Sequence, residues 1–410
     1  MPRIAILYPT DLASHVPSGI DSFIRGMLKS APADLSYTLI GATADPVARP
    51  VGRHANVDLG GQTVSFLPVC EMDSEGRRSR IPLTVRYMAA ARRCVRQGDL
   101  SDFDILDFHR IEPLLLFRSD ERPKNLYMHQ DMVVIRDPRS DILWRHAPWL
   151  YEWCEARLLK RVDRIFCVRR SAVDRYRKQM PERADRFQFT PTWVDSAQFY
   201  PTADPVIRAA ERAALRLQLR LPDDAEIAGF VGRLDRQKDP LLLIEAVAPL
   251  LQSRPQLHVV LVGDGVLRSE VEGSIARQEL SARFSLTGAL RSAQIAILLR
   301  ASDVFVLSSA YEGMPIAVLE ALASGLPVVS TPVGEVPPLI RNGVNGVVSR
   351  DRSAGAFADA LGAVLSAVPP LAAADCVDSI SAYQPRNVLA ALYDNHRRQY
   401  ATCAGHVVPG

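Results

Sequence analysis

The chain lacks paired cysteines. Its six (Cys70, Cys94, Cys154, Cys167, Cys376 and Cys403) are scattered without CxxC spacing. That argues against a zinc site or a disulfide framework and favours a reducing compartment. It also lacks a run of about 18 apolar residues; the best candidate, 315–329, carries Glu320 in its middle, so no membrane-spanning helix is predicted. The apolar core of the N-terminus, Ile4 to Leu7, is far too short for a signal peptide. The expectation is a soluble, cytoplasmic protein. Nor does one sign of charge dominate: 49 Lys plus Arg face 46 Asp plus Glu, a net charge of +3 that gives no reason to expect nucleic acid as a partner. With 48% apolar and 23% charged residues, global disorder is excluded as well.

The near-neutral average hides an imbalance. Residues 1–200 hold 30 basic and 25 acidic side chains, residues 201–410 hold 19 and 21. The basic ones cluster at Arg77-Arg78-Ser79-Arg80, between Arg86 and Arg96, and from Arg157 to Lys178. They read either as solvated helix faces or as a surface that rests on anionic lipid headgroups, worth about 1 kcal/mol per well-placed basic residue.

Along the chain, short apolar runs alternate with helix-compatible stretches. Runs at 4–7, 37–40, 105–108, 125–128 and 164–168 predict strands, and Ile20 to Leu28, Ile81 to Gln97 and Ile142 to Arg161 predict helices. Pro191, Pro201 and Pro205 bracket an aperiodic linker followed by an Ala/Arg/Leu-rich helix to Leu219. A second alternation follows, with strands at 227–231, 257–262, 284–286, 304–307 and 328–330 and helices at 240–252, 267–280, 292–300 and 316–324. This predicts two tandem Rossmann-like, doubly wound α/β domains facing across a cleft, a preferred place for a small-molecule site. The predicted divisions are residues 1–204, 205–380 and a C-terminal segment, 381–410, whose helix carries Val388, Leu389, Leu392 and Tyr393 on one face.

Two segments carry the chemistry. In Tyr311-Glu312-Gly313-Met314-Pro315-Ile316, continuing to Gly325, Pro315 suits the first turn of a helix and Gly325 the position past its end. Backbone N–H groups at Met314, Ile316 and Ala317 then form an anion site aided by the helix dipole, and Gly313 lets a phosphate or sugar approach closely. Glu312 and Glu320 read either as acceptors of sugar and ribose hydroxyls or as a capping acid and a solvent-facing Glu. In Gly232-Arg233-Leu234-Asp235-Arg236-Gln237-Lys238-Asp239-Pro240, between a strand and a helix, Arg233 as a fork and Lys238 as a point charge bracket a diphosphate.

Together these segments resemble the retaining, GT-B-fold glycosyltransferases of family 4. The resemblance rests on Glu312 and Glu320 with seven residues between them, on Gly232, Arg233 and Lys238, and on Val262-Gly263-Asp264-Gly265 and Leu286-Thr287-Gly288. Thr331-Pro332-Val333-Gly334 and Asn342-Gly343-Val344-Asn345-Gly346 extend it. It implies a hexosyltransferase that moves a hexose from a nucleotide diphosphate sugar to a hydroxyl of a glycan or lipid-linked acceptor, in polysaccharide or glycoconjugate synthesis. Glu320 would bind the ribose, Arg233 and Lys238 the pyrophosphate, and the backbone near Leu290 the base. Glu312, with Gly313, Met314, Pro315 and Ile316, would hold the transferred sugar. No cofactor and no obligatory metal are implied, and Asp102-Phe103-Asp104 reads as an incidental DxD.

In the N-terminal half, Ser18-Gly19-Ile20 resembles the family's glycine-rich loop, reduced to Gly19. His129, in Tyr127-Met128-His129-Gln130-Asp131, resembles the strand-end histidine that touches the donor sugar, a catalytic position shared with Glu312. His109 sits at a comparable strand end on the acceptor side. The C-terminal helix is expected to cross back onto the first domain, and the basic first half would then meet an anionic membrane peripherally. The rival readings are a nucleotide-sugar epimerase on the same scaffold and a non-catalytic sugar-nucleotide binding protein. A dinucleotide-dependent oxidoreductase lacks its G-x-G-x-x-G.

Overall fold

A computed structural model of the chain describes residues 1–14, 19–73, 79, 81–129, 148–403 and 405. Its contacts divide the described residues into two units, one holding those within 1–129, 148–191 and 385–405, the other those within 192–384. The divisions fall at 191/192 and 384/385, where the sequence suggested 204/205 and 380/381. Segment 192–204 joins the second unit because Val194 and Phe199 are buried in that unit's core and the Val194 N–H donates to the Tyr383 carbonyl at 3.1 Å.

The first unit is an eight-stranded sheet in the order β3-β4-β2-β1-β5-β6-β7-β8. Its strands are β1 (Arg3–Leu7), β2 (Ser36–Thr43), β3 (Ala55–Asp58), β4 (Thr63–Glu71), β5 (Ile105–Phe108), β6 (Lys124–Met128), β7 (Arg164–Cys167) and β8 (Phe187–Phe189). All pair in parallel except edge strand β3. β3, β4 and β8 were not legible in the sequence. β4 carries Pro68, which cannot donate to a ladder, and the β2–β4 register shifts just there, after Gly41 pairs with Pro68. The alternation of strand side chains sends Leu106, Phe108, Leu126 and Met128 to one face of the sheet and Asp107, Asn125 and Tyr127 to the other. Helices α2 (Leu83–Gln97), α3 (Pro148–Leu159) and α4 (Arg170–Gln179) close the first face over a shared core with Tyr87, Cys94, Leu158, Val173 and Tyr176. Only residues 148–161 of the helix expected over 142–161 lie within the described residues, and α3 ends at Leu159.

The second unit is a six-stranded, all-parallel sheet in the order β11-β10-β9-β12-β13-β14. Its strands are β9 (Glu226–Val231), β10 (Leu257–Val262), β11 (Phe284–Gly288), β12 (Val304–Leu307), β13 (Val328–Ser330) and β14 (Gly346–Val348). β10, Leu-His-Val-Val-Leu-Val, is buried at every position, as expected for a strand covered on both faces. Two Asp-Pro pairs start helices: Asp204 caps α5 (Pro205–Leu219) and Asp239 caps α6 (Pro240–Ser253), each with proline in the first turn. They are followed by α7 (Arg268–Arg277), α8 (Ser292–Ala301), α9 (Ile316–Ala323), α10 (Val336–Leu339), α11 (Ala354–Leu365) and α12 (Ala373–Ser379). The long helix α13 (Pro385–Cys403) returns to the first unit, where it and α1 (Gly19–Lys29) occupy the face opposite α2 to α4; the Tyr393 hydroxyl donates to the Met27 carbonyl at 2.7 Å.

Candidate functional site

An open parallel sheet binds ligands at the carboxyl ends of its strands, where the strand order reverses. In the second unit the chain winds outward from β9 through β10 to β11, then restarts at β12 on the other side of β9. The loops leaving β9 and β12, residues 232–239 and 308–315, therefore emerge side by side. These are the two segments singled out in the sequence, some 70 residues apart along the chain.

They are joined by an ion pair. Lys238 Nζ lies 2.6 Å from Glu312 Oε1, with the two side chains 16% and 6% exposed. Ser309 Oγ donates to the same carboxylate oxygen at 2.7 Å, and Gln237 Nε2 reaches Oε2 at 3.4 Å. The Lys238 stem lies across Gly232: a Cβ there would stand 3.2–3.4 Å from its Cγ, Cδ and Cε. Asp235 shapes the loop by accepting from the Lys238 N–H at 3.0 Å while its other oxygen pairs with Arg233 at 3.0 Å. Arg233 is 60% exposed and also bonds Gln237 Oε1 at 3.1 Å, so its guanidinium stands in solvent at the rim. Ser309, Gln237 and Asp235 were not singled out from sequence. Asp235 and Gln237 lie inside the Arg233–Lys238 segment, whereas nothing in the sequence marks Ser309.

After Glu312 the chain enters α9. Pro315 is the residue before the helix, with ψ 113°, and Ile316 is the first helical residue; the expected first-turn position for Pro315 is thus corrected by one residue. Its carbonyl still accepts from the Val318 N–H at 3.1 Å, while the N–H groups of Ile316 and Ala317 precede any intrahelical acceptor. The helix ends as read: the Gly325 N–H bonds the Leu322 carbonyl, the Leu326 N–H bonds that of Ala321, and Gly325 takes φ +75°. Met314 is buried in the unit's core, Ile316 is half-buried, and the Gly313 carbonyl accepts from the Glu335 N–H at 2.9 Å. Gly334, at φ +54°, makes that approach possible: a Cβ on it would meet the Gly313 oxygen at 2.2 Å. Glu320, half-buried within α9, has its carboxyl pushed up to about 7 by burial, against the opposing pull of Lys238. Leu290 packs partly against a small cluster with Leu215, Ile227 and Leu298, just ahead of α8.

In the first unit the strand order reverses between β1 and β5. His109 and His129, directly after β5 and β6, meet: His109 Nδ1 is 3.0 Å from His129 Nε2, and the His109 ring stacks on Tyr127 at 4.4 Å and 3°. Burial holds both imidazoles neutral, driving His109 well below its ordinary value and His129 to about 3. In a neutral pair one nitrogen donates and the other accepts, so the two tautomers are locked to each other. His109 Nε2 is buried without a hydrogen-bond partner among the described residues. Gly19 is the first residue of α1, and a Cβ there would meet nothing within 4 Å; Ser18 and Gln130-Asp131 lie outside the described residues. Asp102 and Asp104, the incidental DxD, are both engaged by Arg3.

Beneath the histidines lies a network that sequence reasoning missed. The buried Asp107 carboxylate accepts from Asn125 Nδ2 (2.8 Å), Tyr127 Oη (3.2 Å) and His396 Nε2 (2.9 Å), and the Tyr37 hydroxyl bonds His396 Nδ1 at 2.9 Å. It fastens α13 to the sheet. Asp107 and His396 stand 289 positions apart, so no local pattern connects them.

Residues 211–372 match the family Glycosyl transferases group 1. Among curated proteins, D-inositol 3-phosphate glycosyltransferase of Corynebacterium urealyticum is 30% identical over 52% of this chain and 51% of its own length. The UDP-Gal:alpha-D-GlcNAc-diphosphoundecaprenol alpha-1,3-galactosyltransferase of Escherichia coli is 30% identical over 52% and 54%. The chain's matched region thus spans about half the length of these relatives. Among solved structures, sucrose-phosphate synthase from Thermosynechococcus elongatus superposes with a TM-score of 0.77 at 19% identity, covering 98% of this chain and 100% of that one. Anabaena HepE in complex with UDP and glucose gives 0.71 at 18% identity, covering 97% and 100%. By sequence over residues 211–372, and by fold over nearly its whole length, the chain is similar to GT-B glycosyltransferases.

Proposed function

We propose that the protein is a retaining hexosyltransferase that takes a nucleotide diphosphate sugar as donor and a hydroxyl of a glycan or lipid-linked molecule as acceptor. The observation that carries this reading is the 2.6 Å Lys238–Glu312 pair bridging the two switch-point loops directly ahead of α9. It sets a cation, a carboxylate and the N–H end of a helix together. That combination serves a diphosphate beside a sugar: the ammonium and α9 N–H groups take phosphate oxygens, and the carboxylate accepts sugar hydroxyls. Arg233 at the exposed rim is free to swing onto the diphosphate, Glu320 takes the ribose, and the backbone at Leu290 lies along the base.

The bond from the anomeric carbon to the diphosphate oxygen breaks as the acceptor hydroxyl attacks on the same face. Lys238, Arg233 and the helix end stabilise the leaving group without an obligatory divalent metal. A donor phosphate oxygen accepts the hydroxyl proton. Neutral His129, its tautomer held by His109, can offer a hydrogen bond rather than a charge. The D-inositol 3-phosphate and diphosphoundecaprenol enzymes among the relatives favour an anionic or lipid-linked acceptor. A thermal-shift panel of UDP-, GDP- and ADP-sugars tests the donor, because a ligand that binds the native state raises its stability in step with affinity. No shift with any of them, or full transfer activity in folded Glu312→Ala and Lys238→Ala variants, sinks the proposal. Donor conversion without an acceptor would make the protein an epimerase.

A further inference from the structure

We infer that Arg352, in the turn after β14, is a positioning residue for the site. It holds Asp239 in a left-handed backbone conformation and so sets the Lys238 ammonium against Glu312 and against a donor diphosphate. Its effect on a diphosphate rests on the donor reading above, whereas its effect on the Lys238–Glu312 pair does not.

Asp239 is a backbone outlier, at φ 46° and ψ 58°. Among the described residues, the other non-glycine residues with positive φ are Arg220 and Glu279. Each lies just past the end of a helix, α5 and α7, where a left-handed residue is a common terminator. Asp239 instead begins a helix. A residue in that place ordinarily has extended backbone, and the ring of the following Pro240 pushes it the same way. The capping bond itself is long, 3.4 Å from the Leu242 N–H, so capping does not account for the conformation. Such an outlier persists only where its surroundings over-determine it, and outliers of this kind cluster at functional sites.

Three groups hold Asp239. Its N–H donates to the Asp235 carbonyl at 3.0 Å. The Ser308 hydroxyl, directly after β12, lies 3.0 Å from the Lys238 carbonyl oxygen and 2.9 Å from that of Asp239. Arg352 Nη2 donates to Asp239 Oδ2 at 2.6 Å, between side chains 26% and 28% exposed. The first two belong to the switch-point loops, whereas Arg352 comes 113 positions after Asp239. A built turn presents it: Ser349 Oγ donates to the Asp351 carbonyl at 2.7 Å, Asp351 Oδ1 accepts from the Ser353 N–H at 2.8 Å, and Ser353 caps α11.

The effect reaches Lys238 through one peptide unit. Relaxing Asp239 toward extended backbone rotates the Lys238–Asp239 peptide and turns the Lys238 carbonyl away from Ser308. The Lys238 stem has little room to absorb the rotation, because it lies close across Gly232. Its ammonium is therefore carried off Glu312 Oε1, and with it the cation offered to a diphosphate.

The measurement that needs no ligand is the Lys238–Glu312 coupling energy from urea unfolding, in the wild type and again in Arg352→Met. It should fall by about half when Arg352 is lost. Titration calorimetry with UDP, GDP and ADP reads the diphosphate. Arg352→Met and Asp239→Ala should each weaken whichever of these binds by about tenfold. Asp239→Gly also loses the ion pair, but glycine takes the left-handed conformation freely, so its affinity should stay within about twofold of the wild type. A plain surface salt bridge gives no such rescue. Unchanged coupling in Arg352→Met overturns the proposal, as does nucleotide affinity that Arg352→Met leaves intact. Equal weakening by Asp239→Gly and Asp239→Ala overturns it too, since the ion pair and not the backbone would then matter. If none of the three nucleotides binds the wild type, the donor reading fails and the coupling measurement still decides the role of Arg352.

Discussion

Replacing Lys238 by Met removes an ammonium that is 16% exposed and leaves the Glu312 carboxylate, 6% exposed, without its counter-charge. Breaking a buried pair from one side costs about 3–5 kcal/mol, because the remaining charge keeps its desolvation penalty. Here the lower end applies. Ser309 Oγ still donates to Glu312 at 2.7 Å and Gln237 at 3.4 Å, and Lys238 retains some solvent in the native protein. About 3 kcal/mol is therefore expected, and a Tm lower by about 6–12 °C in the transition of the second unit, at 2–4 °C per kcal/mol for a unit of its size. Glu312→Gln should cost a similar amount by stranding Lys238. The double variant, with neither charge, should recover most of one loss, giving a coupling energy of about 2 kcal/mol in a double-mutant cycle. Urea unfolding of the four proteins measures it. Single losses below about 1 kcal/mol that simply add in the double variant would refute the reasoning, because the pair would then be a solvent-screened contact.

Glu320 predicts a pH slope. Its folded carboxyl titrates near 7 against an ordinary 4.5, so the native state binds its proton more tightly than the unfolded chain. The associated stability is present below about pH 4.5 and lost as pH rises to about 7, at most about 3 kcal/mol; urea melts of Glu320→Gln should lack that slope and exceed the wild type at pH 8. The neutral His109–His129 pair should show no imidazole titration between pH 5 and 8 by nitrogen NMR. A protonation step near the ordinary value of 6.5 would contradict its burial. Asp107→Ala strands the donors of His396 and Tyr127, while Asn125 Nδ2 keeps Gln399 Oε1 at 3.0 Å, and should destabilise by about 3–5 kcal/mol. The same change should speed hydrogen exchange in α13, and unaltered protection there would count against the network as its anchor. Gly334→Ala, where a Cβ would meet the Gly313 oxygen at 2.2 Å, should lower Tm and weaken donor-induced stabilisation together.

Much of this was readable from local pattern. The near-continuous apolar runs that became β10, broken only by His258, and β12 read as strands covered on both sides, and the helices beginning near 205 and 240 were legible because their start signals lie in a few adjacent residues. Gly325 was legible for the same reason. Glu312, Lys238 and Arg233 were legible as chemistry, but their pairing was not: it arises because β9 and β12 lie side by side although more than 70 positions separate their residues. β4 escaped because Pro68 speaks against a strand until a register shift accommodates it.

What the sequence determined alone was the alternation of strand and helix, the two-domain α/β plan, and the identity of the charged and glycine residues in two loops. Those depend on periodicity and on backbone preferences that act over a few residues. Only the tertiary structure decided that Lys238 meets Glu312, that Asp107 meets His396, and that Arg352 meets Asp239. Those depend on strand order and on which face each crossover takes.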